Sequence, residues 1–367
     1  VGSSGGNPSG GNGIVESTFA APVLSWEIEK KFNVGVDLGF FDNRIDITAD
    51  YFFNRREDIL IQRKIVPKTL GFRVNPWQNF GIVDNKGLDG SLTLNHQFGD
   101  LKVSARGNIT YVRNEIVEYD EVPSKYNYQN YTGQSIGQPY CYIAEGLYTP
   151  DDFTTTTTST EGYLYELKAD VPKPAANVAP GDIKYKDLNG DNIIDDNDQC
   201  PIGNPIYPQL TAGITAGFEY KGFDFSMLWA GSGKVSRFIS AGLRVPFGGG
   251  NYGLLQYMID DHWTPETAET AKTPRFSGAA NANNYTRNST LWLKDASYIR
   301  LKNVQIGYTF KGEWMKKIHL KNMRIYASGE NLLTFDHLKI ADPEATDDKQ
   351  FQYPLQMIFN IGLNLNF

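Results

Sequence analysis

Residues 210–229 read Leu210-Thr-Ala-Gly-Ile-Thr-Ala-Gly-Phe-Glu-Tyr-Lys-Gly-Phe-Asp-Phe-Ser-Met-Leu-Trp229, and the period of that stretch is two. Leu210, Ala212, Ile214, Ala216, Phe218 and Tyr220 form one apolar row, and Phe223, Phe225, Met227 and Trp229 resume it after Lys221-Gly222. Alternation of this kind puts one set of side chains on an apolar face and the other on a polar face. The two-residue break is the chemistry of a tight hairpin.

The same unit recurs to either side. Val34, Val36, Leu38 and Phe40 turn at Asp42-Asn43 into Ile45, Ile47, Ala49, Tyr51 and Phe53. Leu92, Leu94, His96 and Phe98 turn at Gly99-Asp100 into Leu101, Val103, Ala105, Gly107, Ile109 and Tyr111. Val304, Ile306, Tyr308 and Phe310 pass through a longer basic turn near Lys311–Lys321 into Met323, Ile325 and Ala327. The chain closes on Met357, Phe359, Ile361, Leu363, Leu365 and Phe367. This predicts an all-β chain of nine antiparallel strands, or eleven if residues around Gly137–Tyr148 and 161–168 add a pair. The other connections, roughly 60–88, 113–206, 231–290 and 334–354, are long and rich in Asn, Gly, Pro, Thr and Tyr.

Short turns at one end and long loops at the other are the habit of outer-membrane barrels. An antiparallel sandwich competes for any one hairpin, but it has no reason to make its two ends so different. A final alternating strand ending in Phe also has the form of a barrel's recognition signal. The expected lipid-facing row includes Val34, Val36, Leu38, Ile214, Phe218, Phe359 and Ile361.

Composition agrees with this reading. The 367 residues are 40% hydrophobic and 13% aromatic, with 21 Tyr and 21 Phe, too rich in apolar material for disorder. The mean hydropathy is only −0.41, and no window reaches the roughly 18 to 20 apolar residues of a spanning helix. Barrel strands escape such averages. A net charge of −7 without a basic block argues against nucleic acid. Cys141 and Cys200 are too few for a disulfide framework but allow one bridge. Residues 1–24, beginning VGSSGGNPSGGNG, read as an extracellular loop segment of a longer polypeptide, ahead of a barrel portion at 25–367.

Several motifs resemble those of SusC-type (SusC/RagA family) TonB-dependent outer-membrane transporters of Bacteroidota. They are Gly181-Asp-Ile-Lys-Tyr-Lys-Asp-Leu-Asn-Gly-Asp191, Ile202-Gly-Asn-Pro205 and Tyr298-Ile-Arg-Leu-Lys-Asn-Val304. Gly307-Tyr308, Gly329-Glu-Asn-Leu332, Gly362-Leu-Asn-Leu-Asn-Phe367, Asn85-Lys-Gly87 and Gly137-Gln-Pro-Tyr140 fit as well. The resemblance implies the C-terminal part of a roughly 22-stranded transmembrane β-barrel with a plug. It further implies a SusD-like lipoprotein lid, TonB acting through the plug, and import of a nutrient oligomer, a glycan first and an oligopeptide second; a structural or adhesive surface barrel that transports nothing is the competing class. The plug, the TonB box and the first half of the barrel are not in this sequence, and an open sheet needs its missing half to sit in lipid.

Two sets of side chains are candidate sites. Asp187, Asn189, Asp191, Asp195 and Asp198 stand at positions 1, 3, 5, 9 and 12 of an EF-hand-like loop, with the Ile193 carbonyl at position 7. That spacing suits oxygen ligation of Ca2+, although position 6 is Asn192 and position 12 is the short Asp198. The competing reading is an Asn/Asp turn held by its own side chains. Tyr126, Tyr128, Tyr131, Tyr140, Tyr142 and Trp263 are candidate ligand contacts, because flat rings stack on sugars and pack on peptides; interfacial packing is the alternative. Trp77, Tyr252 and Tyr257 decorate other loops.

No enzyme is expected. His96, His262, His319 and His337 are scattered without HExxH spacing, no GxSxG elbow is present, and Gly231-Ser-Gly-Lys234 lacks the leading glycine of a phosphate loop. The Thr154–Thr158 run reads as a mobile loop tip.

Overall fold

The computed structural model describes residues 24–67, 69, 74–159, 162–248, 253–277, 281–316, 319–346, 350 and 353–367. Apart from Leu24, the expected loop segment 1–24 lies outside the described residues, as does Tyr252. The described residues fall into two compact units, one drawn from within 24–36, 49–88 and 112–136, the other from within 37–48, 89–111 and 137–367.

Four long strands come first: β1 (Ile28–Phe40), β2 (Ile45–Gln62), β3 (Trp77–Phe98) and β4 (Leu101–Glu118). Short strands fill the next segment: β5 (Tyr140–Tyr142), β6 (Ala144–Leu147), β7 (Phe153–Ser159), β8 (Gly162–Leu167), β9 (Lys173–Pro174), β10 (Ile183–Tyr185), β11 (Ile193–Ile194) and β12 (Gln199–Pro201). Then follow β13 (Leu210–Tyr220), β14 (Phe223–Gly233), β15 (Ser236–Phe238), α1 (Ala241–Arg244), α2 (Gln256–Asp261) and β16 (Leu293–Asp295). The last elements are β17 (Tyr298–Phe310), α3 (Glu313–Lys316), β18 (Asn322–Asp336) and β19 (Ile358–Asn366). A nine-stranded sheet runs β1-β2-β3-β4-β13-β14-β17-β18-β19, so the long strands neighbour one another in chain order.

Register turns the alternation of single strands into continuous rows. Val103, Phe218, Phe225, Ile306, Ala327 and Ile361 are successive partners across six strands. One position along, Ser104, Gly217, Ser226, Gln305, Ser328 and Asn360 form the adjacent row, on the opposite face. The apolar row is bare: Phe218 is 40% exposed, Ile306 54% and Ile361 87%. A sandwich would bury that row beneath a second sheet. The principal core is instead drawn from the connections, with Tyr142, Ile183, Tyr185, Ile194, Ile239, Leu243, Tyr285, Trp292 and Leu338 packed together. The sheet thus offers its apolar face to the surroundings while the loops hold the buried interior.

Turn chemistry sets the hairpins. Lys221 (φ +47°) and Gly222 (φ +93°) both lie in the left-handed region, as a type I′ turn requires. A Cβ at Gly222 would come within 2.8 Å of the Thr309 carbonyl oxygen. The resemblance motif Gly329-Glu-Asn-Leu332 is a β-bulge. Asn303 pairs with Glu330 and Leu301 with Leu333, leaving β18 one residue longer than β17 there. Asn331 takes φ +54°, and Leu332 folds over the bare Cα of Gly329, where a Cβ would approach it at 2.8 Å.

Three sequence expectations are revised. The connection placed at 60–88 shrinks, because β2 extends to Gln62 and β3 begins at Trp77. In that part of β3 the covered positions are Gly81, Val83 and Gly87; glycines in place of apolar residues hide the alternation. The additional pair near Gly137–Tyr148 and 161–168 exists as β5, β6 and β8, but these strands pair with β12, β10 and β7, outside the nine-stranded sheet. The Thr154–Thr158 run, expected as a loop tip, belongs to β7 and pairs with β8, in keeping with the strand preference of β-branched residues.

Candidate functional site

The connections of the larger unit are organised around Asp182, a fully buried carboxylate. Its Oδ1 accepts from Arg275 Nε at 2.8 Å and Asn284 Nδ2 at 2.8 Å, and its Oδ2 from the Ala179 N–H at 2.8 Å and Arg275 Nη2 at 3.1 Å. Asn284 Oδ1 in turn accepts from the Ile183 N–H at 2.9 Å. Asn283 Nδ2 donates to the Ile183 carbonyl at 2.9 Å, and the Tyr185 hydroxyl donates to the Asn283 carbonyl. A buried charge held this completely fixes segments about a hundred residues apart in sequence. Gly181 precedes it at φ +87°, and a Cβ there would meet the Trp263 ring at 2.4 Å.

The 187–198 loop is a chain of side-chain turns. Asp187 accepts from the N–H groups of Gly190 (2.7 Å) and Asn192 (2.8 Å), Asn189 from Asp191 (2.9 Å), and Asp191 from Ile193 (2.9 Å). Asp195 accepts from Asn197 (2.8 Å), and Asp198 from Leu188 (2.8 Å) and Asp195 (2.9 Å). Asn192 occupies position 6 at φ +65°, the conformation expected of the glycine it replaces. Burial first, then the neighbouring charges of Asp187 and Asp195, raise the Asp198 carboxyl above its ordinary range, against its two backbone donors. Among the described residues no group of three or more His, Cys, Asp or Glu side chains stands ready to hold a metal ion. The carboxylates are turned onto the loop's own backbone.

A third cluster joins the sheet to a connection. Arg300 of β17, 3% exposed, reaches Asp342 Oδ1 and Glu344 Oε2, each at 2.8 Å, and Thr334 Oγ1 at 2.9 Å. Lys302 and the Tyr298 hydroxyl also donate to Glu344 Oε1. The motif Tyr298-Ile-Arg-Leu-Lys302 therefore alternates into a clamp, with residues 298, 300 and 302 gripping the Asp342–Glu344 segment. Sequence reasoning missed this role; the available signal was three polar side chains at a spacing of two inside a strand.

The aromatic candidates divide. Tyr126 and Tyr128 stack at 5.5 Å, with Lys125 Nζ 5.0 Å from the Tyr126 centroid. Tyr131, 43% exposed, meets Tyr119 edge-on at 6.0 Å, and Lys64 lies over both rings. These three rings belong to the smaller unit, and Tyr140, Tyr142 and Trp263 to the larger. Tyr140 is half-buried in β5. Tyr142 is no platform: it is 3% exposed, lies under Arg287, and its hydroxyl donates to Asp196 Oδ1 at 3.0 Å. Burial pushes that phenol up to about 12. Trp263 is spent on Gly181.

His262 Nδ1 lies 2.7 Å from the Ile259 carbonyl, and its ring stacks on Phe276. Gly231–Gly233 belong to β14, a strand and not a phosphate loop.

The family description "TonB dependent receptor-like, beta-barrel" matches residues 2–332. The chain is similar to TonB-dependent receptor P3 of Formosa agariphila, with 30% identity over 97% of this chain and 36% of that protein. It is similar to TonB-dependent receptor SusC of Bacteroides thetaiotaomicron, with 26% identity over 94% of this chain and 32% of that protein. Among solved structures it superposes on the RagAB peptide importer in the open-open state with a TM-score of 0.71 and 25% identity, covering 97% of this chain and 36% of that one. The chain thus spans about a third of the length of the curated relatives it matches. The register rows, the core drawn from the connections and these likenesses agree, and the chain belongs to the TonB-dependent receptor-like β-barrel family.

Proposed function

We propose that this chain is the C-terminal barrel portion of a SusC/RagA-type outer-membrane transporter. It would import a nutrient oligomer with energy delivered by TonB through a plug, beneath a SusD-like lipoprotein lid. The observation that carries this reading is the bare apolar row on one face of the nine-stranded sheet, Val103 to Ile361, with a polar row behind it. Lipid covers such a face and a lumen wets the other. The first and last strands of the order, β1 and β19, each require a further neighbour, which the remainder of a longer protein supplies.

An oligosaccharide is the substrate class favoured here, supported by the half-exposed Tyr126, Tyr128 and Tyr131 rings. An oligopeptide is the second reading, favoured by the likeness to the RagAB peptide importer. Deleting the gene and measuring uptake of size-graded labelled oligosaccharides and oligopeptides by whole cells tests both. Loss of one class, restored by the intact gene and abolished without TonB, supports import and names the class. Unchanged uptake of both classes contradicts it.

A further inference from the structure

From the position of the two cysteines we infer that Cys141 and Cys200 form a disulfide that staples β5 to β12. It goes beyond the transport reading and shares only the premise that these connections face an oxidising exterior. They are the only cysteines in 367 residues, they lie in different segments of a long connection, and the fold makes them direct partners. β12 pairs antiparallel with β5 through Gln199↔Tyr142, Cys200↔Cys141 and Pro201↔Tyr140. Directly opposed residues project to the same face of a two-stranded ladder.

The geometry of the pair follows from its neighbour. The Ile202 N–H donates to the Pro139 carbonyl at 3.0 Å, one step of two residues further along the same register. Hydrogen-bonded and non-hydrogen-bonded pairs alternate, so Cys141 and Cys200 occupy a hydrogen-bonded position, where Cα atoms lie about 5.5 Å apart. Disulfides span about 4.4 to 6.8 Å between Cα atoms. Hydrogen-bonded positions hold their Cβ atoms further apart than a relaxed disulfide does, so closure draws the two strands together. The ladder can give: it is three residue pairs long, and Pro139, which accepts from the Ile202 N–H, has no N–H to return that bond. Such a bond is more reducible than an unstrained one.

Both residues are thiols in this structure. Cys141 is fully buried and Cys200 half-buried, and burial pushes the Cys141 thiol up to about 12. A thiol so placed reacts slowly once covered, so the bond forms before the connection packs. Cys200, as thiolate, attacks a disulfide of a periplasmic dithiol oxidant, giving a mixed disulfide and releasing one oxidant thiolate. Cys141 then displaces the second oxidant thiolate. Two cysteine thiols lose two protons and two electrons, and the oxidant's disulfide becomes two thiols. The closed ring encloses residues 141–200, which include Asp182 and the acidic 187–198 loop.

The test uses the whole protein purified from outer membranes after free thiols are blocked with an alkylating reagent under denaturing conditions. Non-reducing peptide mass spectrometry is expected to find the peptides bearing 141 and 200 joined, and reduction is expected to release two alkylatable thiols. Hydrogen exchange of 140–142 and 199–201 should then speed up on the order of tenfold or more on reduction. The single variants Cys141→Ser and Cys200→Ser and the double variant should speed exchange equally, since any one removes the whole cross-link. Two alkylated thiols without prior reduction, in protein recovered from the outer membrane, overturn the inference and leave the transport reading standing. Recovery in another fraction counts against the transport reading, and the linked peptide there still decides the cross-link.

Discussion

At the scale of single residues, buried charges carry the connections. Asp120 is held by Arg63 Nε at 2.8 Å and by the Lys64 and Ile65 N–H groups. Burial opposes its charge, yet Arg63 and the two amides outweigh it and keep the carboxyl below its ordinary range. A depressed carboxyl contributes stability that is complete above the unfolded-state value, near about 4. That contribution is lost as pH falls through the lower folded value. Protection of the 63–65 amides is therefore expected to be flat from neutral pH to about 5 and to drop only in stronger acid. Asp120→Asn should remove the acid step and cost roughly 1 to 3 kcal/mol of local stability, read by hydrogen exchange. In the 187–198 loop, Asp187→Ala deletes the acceptor for both Gly190 and Asn192 and should loosen the turn. Because the carboxylates already serve the backbone, millimolar calcium is expected to leave wild-type exchange in this loop unchanged. Calcium-dependent protection, lost in Asp187→Ala with Asp191→Ala, would instead establish the cation reading of the Asp187, Asn189, Asp191, Asp195 and Asp198 spacing.

At the scale of elements, motifs that sequence comparison treats as signatures prove to be packing devices. Gly181 admits the Trp263 ring, so Gly181→Ala is expected to destabilise the connection by roughly 1 to 3 kcal/mol through both clash and positive φ. Faster exchange at Ile183 and Asn284, with the nine-stranded sheet unaffected, is the measurement that checks it. The strands whose alternation used large apolar residues, β13 and β14, were legible at once. The start of β3 was not, because Gly81 and Gly87 occupy its covered positions. The short strands β9 to β12 escaped for another reason: their ladders of two or three residues follow from tertiary partners such as Asp182 and Asn284, which no local period records. Tyr142 and Trp263 have the ring chemistry of a platform but are packed inward, against Arg287 and Gly181, and residue type alone does not separate a buried ring from an offered one. The Arg300 clamp needed the fold of the Asp342–Glu344 segment before its purpose was visible.

At the scale of the whole molecule, the central claim is that lipid covers one face of the nine-stranded sheet and water the other. Ile214 and Thr215 are neighbours on β13 that point oppositely, so they give a paired test. A lipid-facing arginine near the bilayer midplane costs roughly 2 to 4 kcal/mol, and Ile214→Arg is expected to reduce the assembled, heat-modifiable form well below that of Thr215→Arg. The most direct measurement is a spin-label scan of residues 210–220 in the full-length protein, with native cysteines replaced, reconstituted in lipid bilayers. Accessibility to oxygen should peak at 214, 216 and 218, and accessibility to a water-soluble nickel chelate at 215, 217 and 219. A scan without that period of two, or with the two reagents exchanged, would contradict the facing of the sheet and the transport reading built on it.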